Sequence, residues 1–258
     1  MNLVGQRVLL TGASSGIGRA TAIALAARGA RLCLVARRGG RLRQLRDELL
    51  DAGASAVVCE IDLTGEGAAA TAVQACVDGL GGLDILINNA GHGAYLPTLA
   101  VTPELARSLF ELNVIVPLRL MQAAVPHMSS RCGGIIVNIG SNAARMGRPK
   151  VGVYAASKAA LEAISVAARA ELAPQGIRVL TVSPGRTVSE FGQRALRQGH
   201  SKPGPAGGLS PGGGRPDTAE FVADRIAATI EQEAMWTAAP LQGDTSRDEP
   251  RGWDTLEA

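Results

Sequence analysis

The stretch "RVLLTGASSGIGRATAIALAARG", Arg7 to Gly29, decides the fold. It opens with a short apolar run bounded by a glycine, which reads as a buried strand. From Gly16 the small and apolar residues continue long enough for a helix, which is expected to end at Gly29. Between the two lies "TGASSGIG", Thr11 to Gly18, with the spacing G-x-x-x-G-x-G. A glycine turn there brings backbone N–H groups and the positive end of a helix to one point, a place for a pyrophosphate. Gly12 permits the turn, Gly16 a close approach, and Gly18 the packing of helix on strand. The spacing departs from the G-x-G-x-x-G fingerprint, and any strand-to-helix turn can use glycine. Its place in the first strand–helix–strand unit gives it weight.

Outward from this unit the alternation repeats. "RLCLVAR" is a second strand, and "GRLRQLRDELLDAG" a helix. "AVVCEID", "LDILINNAG", "GGIIVNIGS" and "IRVLTVSPG" are further strands. Helices are predicted over "GAAATAVQACVDGL", over 103–112, over 114–129 and over 154–172. The strands are continuously apolar, as strands covered on both faces are. Strict β–α alternation implies a doubly wound parallel α/β sheet of the Rossmann type in a single domain, assigned to residues 1–235. Within it, "GHSKPGPAGGLSPGGGRP" at 199–216 is too rich in Gly and Pro for a helix or central strand. It is read as a flexible substrate loop. "DTAEFVADRIAATIEQ" is a last helix that Asp217 or Thr218 can cap. The tail, 236–258, is expected to be poorly ordered.

The 258 residues are 46% apolar and 19% charged, and the formal charge of +3 is small for this length. The basic residues are spread out, with no aromatic-interleaved block of the kind that reads nucleic acid. No apolar run is long enough to span a bilayer, and the N-terminus lacks the pattern of a signal peptide. Cys33, Cys59, Cys76 and Cys132 show no C-x-x-C spacing. They read as reduced core cysteines of a cytoplasmic protein. The three histidines are too scattered for a metal constellation. His92 follows the fourth strand and reads as a solvated loop residue.

About twenty residues past Gly18, a dinucleotide site needs a group for the adenosine ribose. The sequence there is "VARRGG", with Arg37 and Arg38 and no carboxylate. Cations are unfavourable at a helix start. A bound 2′-phosphate would compensate them, which favours NADP(H). A solvated basic helix start is the alternative.

Two further motifs complete the set. "NNAG" stands at Asn88–Gly91, and "YAASK" at Tyr154–Lys158 carries one of only two tyrosines in the chain. Together with "TGASSGIG", Asn113, Ser141 and "SPGRTVSEF" at Ser183–Phe191, they resemble the short-chain dehydrogenase/reductase family from Leu3 to Phe191. The order and spacing of the whole set carry the resemblance. It implies an NADP(H)-dependent oxidoreductase working between a carbonyl and a secondary alcohol. Tyr154 and Lys158, one helical turn apart, become general acid and its neighbour. The ammonium is expected to lower the phenol's pKa. Ser141 is implied to hydrogen-bond the substrate oxygen, which Tyr154 protonates. Asn113 is implied to hold a water leading from Lys158 to solvent.

The cofactor contacts implied by the resemblance are Gly12, Ser14, Ser15, Gly16, Ile17 and Gly18 at the turn. Arg37 and Arg38 serve the ribose phosphate, with Ser14 and Ser15 as further donors. Asp62 and Leu63 cradle adenine, and Asn89, Ala90 and Gly91 lie beside the ribose, although Asn88 and Asn89 equally read as a plain turn. Pro184, Gly185, Thr187 and Ser189 cover the nicotinamide, and Tyr154 and Lys158 flank it. The last part of the chain departs from the family: "EAMWTAAPLQGD" is a poor match to its seventh strand. The implied partners are a small carbonyl or alcohol and further copies of the chain, as a homodimer or homotetramer. The competing reading is a catalytically silent dinucleotide-binding sensor or scaffold, which the presence of Ser141, Tyr154, Lys158 and Asn113 disfavours.

Overall fold

The computed structural model describes residues 3–128, 133–188, 196–197 and 216–235. Its main sheet contains β1 (Arg7–Thr11), β2 (Arg31–Ala36), β3 (Ser55–Glu60), β4 (Ile85–Asn88), β5 (Gly134–Ile139) and β6 (Ile177–Val182). All pairings in it are parallel, in the order β3-β2-β1-β4-β5-β6. The chain thus winds outward from β1 to β3, then returns to β4 and winds the other way. Ligands of such sheets sit where the winding reverses, beyond the carboxyl ends of the strands.

The helices are α1 (Gly16–Ala26), α2 (Gly39–Asp51), α3 (Ala68–Leu80), α4 (Pro103–Phe110), α5 (Val116–Ala124), α6 (Gly152–Leu172) and α7 (Ala219–Met235). They cover both sheet faces, and the strands supply apolar side chains to both. Val8, Leu10, Leu32, Leu34, Ile85 and Ile87 join α1, α2 and α7 in one core. Leu9, Cys33, Val35 and Leu86 join α3 and α5 in the other. Each alternate residue serves the opposite core, which is why the strands read as unbroken apolar runs. Leu9 and Leu10 are wholly buried, and truncating such a side chain to alanine costs about 2–5 kcal/mol. The doubly wound, single-domain α/β fold read from the sequence is the one observed.

The amino ends of the two central strands are locked by charge. Arg7 donates through N and Nε to Asp84 Oδ2, both at 2.8 Å, and through Nη2 to Oδ1 at 2.6 Å. Burial pushes the Asp84 carboxyl up, but the Arg7 hydrogen bonds and charge outweigh it and hold the group below the carboxylate range.

Local differences from the sequence reading have local causes. α1 stops at Ala26, because Gly29 has φ +81 and turns the chain beneath Val4. The two middle helices are one continuous helix, Pro103–His127, joined by a π turn at Glu111–Ile115. Contrary to the expectation, this helix is long and apolar enough to cross a bilayer by length and composition. Its Val116, Leu120, Met121 and Ala124 are buried in the second core. At α7 the cap is Thr218, whose Oγ1 accepts from Phe221 N at 3.1 Å. Cys33, Cys59 and Cys76 are free and buried. The Gly/Pro-rich segment up to Arg215, Cys132, the tail and the question of a seventh strand lie outside the described residues.

Candidate active site

A cleft of about 2160 Å³ opens beyond the carboxyl ends of the strands. At its floor the ends of β1 and β4 are fastened together. Thr11 Oγ1 accepts from the N–H groups of Asn89 and Ala90, both at 3.0 Å, and donates to Ile87 O at 3.2 Å. Asn89 Nδ2 donates back to Thr11 O at 2.9 Å. Gly12 has φ +69, and a Cβ there would stand 2.8 Å from Asn89 Nδ2 and 3.0 Å from Ala90 Cα. A Cβ at Gly18 would run into the Gly12 carbonyl. The turn therefore requires these glycines, and it leaves a backbone-lined hollow at the amino end of α1. That hollow suits a pyrophosphate: side chains would fill it, and no acidic residue stands in the first turn of α1 to repel an anion.

Two arginines border the hollow and behave differently. The Arg38 guanidinium reaches Ser14 Oγ through Nε at 3.1 Å and Nη2 at 2.8 Å, and Ser15 Oγ through Nη2 at 2.6 Å. One charge and two hydroxyls are thus gathered at the glycine turn. Arg37 is 70% exposed and lies 3.6 Å from Asp62 Oδ2. Burial raises the Asp62 carboxyl, but hydrogen bonds from Thr64 and the Arg37 charge prevail and hold it low. Glu60 extends across Gly39 at the start of α2 and accepts from Arg43 Nη1 at 3.0 Å. Asp62 and Glu60 thus offset part of the basic helix start through Arg37 and Arg43, a compensation that the sequence reading, which weighed a bound phosphate against solvent, does not include. Leu63 is buried in the second core and also lines the cleft.

Tyr154 and Lys158 lie on α6, one turn apart. Lys158 is buried, donates from Nζ to Ile139 O at 2.7 Å, and has its pKa lowered to about 8 by desolvation. The Tyr154 phenol is held above its ordinary pKa. Burial raises it, and the hydrogen bond with the Ser141 side chain only partly offsets that. This corrects the expectation that Lys158 lowers it: here the ammonium is bonded at Ile139 and the phenol at Ser141. Ser141 stands two residues past the end of β5 and caps the following 3₁₀ turn by accepting from Ala143 N at 3.2 Å.

Asn113 sits in the π turn and is wholly buried. Its Oδ1 accepts from His92 N at 3.1 Å, and its Nδ2 donates to His92 O and Ser157 Oγ, both at 3.0 Å. Ser157 Oγ donates in turn to Tyr154 O at 2.7 Å. The amide ties the segment after β4 to the helix that bears Tyr154. A Cβ on Gly91 would lie 2.9 Å from Asn113 Oδ1 and 3.7 Å from Lys158 Nζ, so only glycine fits between them. The His92 ring meets Ser108 O at 3.0 Å instead of standing free in solvent.

Residues 6–199 match the sequence profile described as short chain dehydrogenase. The chain belongs to the short-chain dehydrogenase/reductase family. It is 35% identical over 242 residues to an uncharacterized oxidoreductase of Methylorubrum extorquens, 93% of this chain and 96% of that one. It is also 40% identical over 191 residues to glycine betaine reductase of Emericella nidulans, 73% of this chain but 15% of that longer protein. Among solved structures, a short chain dehydrogenase from Burkholderia cenocepacia in complex with NADP superposes with a TM-score of 0.76 at 30% identity, covering 89% of this chain and 92% of that one. The 3-ketoacyl-(acyl-carrier-protein) reductase from Brucella melitensis, complexed with NADH, gives 0.78 at 27% identity, covering 90% and 93%. Both nicotinamide dinucleotides thus occur among the structural neighbours of this short-chain dehydrogenase/reductase.

The fold brings nearly every residue singled out in the sequence to one cleft. Gly12, Ser14, Ser15, Gly16, Ile17, Gly18, Arg37, Arg38, Asp62, Leu63, Asn89, Ala90, Gly91, Ser141, Tyr154, Lys158, Pro184, Gly185 and Thr187 all line it. Asn113 stands behind the lining and supports it. Ser189 lies outside the described residues. Sequence reasoning missed Thr11 and Ser157 as fasteners of the site. The one available signal for Thr11 was a hydroxyl closing an apolar strand; Ser157 had none beyond its place one turn from Tyr154. It also missed a buried ladder in which Asn88 Nδ2 donates to Asn138 Oδ1 and Asn138 Nδ2 to Ser165 Oγ, both at 2.8 Å.

Proposed function

We propose that this chain is an NADP(H)-dependent oxidoreductase that interconverts a carbonyl and a secondary alcohol. The observation that carries the reading is the Tyr154–Ser141 hydrogen bond in the cleft, beside the buried Lys158. The glycine hollow would hold the pyrophosphate, and Arg38 with Ser14 and Ser15 would hold the 2′-phosphate. When bound, the cofactor supplies or accepts the hydride. Tyr154 then gives its proton to the carbonyl oxygen as the alcohol forms, and Ser141 donates to the same oxygen as charge develops on it. A cation at Lys158 favours the phenolate that proton loss leaves behind. Asn113 and Ser157 hold the backbone on which these groups are mounted. We also propose that the protein works as a homo-oligomer in the cytoplasm, as the sequence reading has it.

The test is NADPH and NADH oxidation against a panel of ketones and aldehydes. A clear kcat/KM advantage for NADPH supports the reading. Equal use of both cofactors removes the NADP preference, and tight NADPH binding without turnover on any carbonyl returns the silent dinucleotide binder.

A further inference from the structure

The cleft that holds Tyr154 is also lined by Tyr95, Arg107, Glu111, Arg148 and Lys150. Arg148 and Lys150 stand six and four positions before Tyr154, on the loop that leads into its helix. Their environment differs from that of many arginines of this chain. Arg7, Arg19, Arg28, Arg37, Arg43, Arg46, Arg107, Arg119 and Arg145 each pair with a carboxylate. Among the described residues, Arg148 and Lys150 have no such partner. Glu111, which also lines the cleft, pairs with Arg119 at 2.7 Å, Glu104 pairs with Arg107 at 3.4 Å, and Glu162 pairs with Arg145.

The loop is also held in an uncommon shape. Lys150 has φ +68, the only positive φ of a non-glycine among the described residues. Lysine gains nothing locally from that conformation, which persists only where surroundings impose it. Here the Lys150 carbonyl accepts from Leu96 N at 2.8 Å. Two residues on, Gly152 makes room for Thr98, whose Oγ1 would stand 2.6 Å from a Cβ. The ammonium lies 5.9 Å from the centre of the Tyr95 ring, which is 49% exposed. Two cations are thus presented in a cleft, on a braced loop, with no carboxylate paired to either among the described residues. Such a cleft concentrates anions.

We propose that Arg148 and Lys150 form an anion subsite, and that the substrate carries a carboxylate or phosphate at a distance from its reacting carbonyl. This rests on the oxidoreductase reading above and adds a substrate class to it. The test follows NADPH oxidation with keto acids of increasing chain length beside their methyl esters, and with dihydroxyacetone phosphate beside dihydroxyacetone. The charged member of at least one pair is expected to have a kcat/KM about tenfold higher or more, falling as salt is raised. The favoured pair tells carboxylate from phosphate. The double substitution Arg148→Gln with Lys150→Asn, in which asparagine tolerates the positive φ, brings the acid-to-ester ratio toward one. Arg148→Glu inverts it.

Esters used as well as acids in every pair, or a ratio unmoved by either variant, would overturn the subsite and leave the oxidoreductase reading standing. Binding of the same acids and esters to the NADPH-loaded protein, read by NADPH fluorescence, separates the two readings further. Acid binding that depends on Arg148 but leads to no turnover keeps the subsite and sinks the oxidoreductase. Esters that bind as tightly as the acids sink the subsite.

Discussion

Lys158, buried at the wall of the cleft, donates its ammonium to the Ile139 carbonyl across 2.7 Å. Desolvation brings its pKa from 10.5 to about 8. Between those values the unfolded chain binds a proton that the folded chain has shed, so stability gains a component that rises with pH across this interval. The charged form below pH 8 is the one the fold penalises. Urea unfolding of the wild type and of Lys158→Met at a series of pH values should show curves that diverge over that interval, the wild type rising relative to the variant. Parallel curves would remove the buried-cation account, whatever packing the methionine loses.

Tyr154→Phe should keep cofactor binding and lose about 10²–10⁴-fold in turnover, the ordinary contribution of a general acid. The phenol itself can be followed. In the protein without cofactor it should ionise above the ordinary phenol value of about 10, as a phenolate absorbance signal that Tyr154→Phe abolishes. Ser141→Ala removes the hydrogen bond that lowers that pKa, and should push it higher still while slowing turnover. A lower phenol pKa in Ser141→Ala would contradict the assignment.

The two arginines should differ in weight. Arg38 is already gathered with Ser14 and Ser15, whereas Arg37 is exposed and shared with Asp62. Arg38→Ala should cost NADPH kcat/KM about tenfold or more and leave NADH nearly alone. Arg37→Ala should cost less. Steady-state kinetics with both cofactors decide this, and the reverse ranking would relocate the phosphate site toward Arg37.

Asn113→Ala removes the partners of His92 N and His92 O, and leaves the Ser157 hydroxyl with only its donation to Tyr154 O. Each stranded polar group costs about 1–3 kcal/mol. Thermal unfolding should fall accordingly. Ser157→Ala combined with Asn113→Ala should cost less than the two single losses added, since they share one hydrogen bond. Full additivity would show that the bond between them contributes nothing.

Much of this was legible in the sequence for a physical reason. A sheet covered on both faces writes itself as apolar runs, and the glycines at 12, 16 and 18 mark a turn that other residues cannot make. The carboxyl ends of those runs then had to hold the site. What could not be read was pairing at a distance. Nothing near Arg37 announces that Asp62 will face it, and nothing near Thr11 announces that it will hold two N–H groups just past the end of another strand. The pKa directions also failed to follow from spacing alone. One turn of helix puts Lys158 beside Tyr154, but burial of the phenol and the Ile139 carbonyl decide where the charges settle.

The π turn at Glu111–Ile115 has a consequence for how this chain tolerates insertions and deletions. A π turn is an α-helix carrying one surplus residue, and each residue turns the helix by about 100°. The residues before and after it are therefore out of phase on a common helical wheel, which is why the helix reads as two pieces in the sequence. Removing a single residue from the turn would allow a regular α-helix to form. It would also swing Asn113 away from His92 and Ser157, or drag the buried stripe of Val116, Leu120 and Ala124 off the core. The helix can keep its phase or its asparagine in place, but not both, so its length there is fixed to the residue.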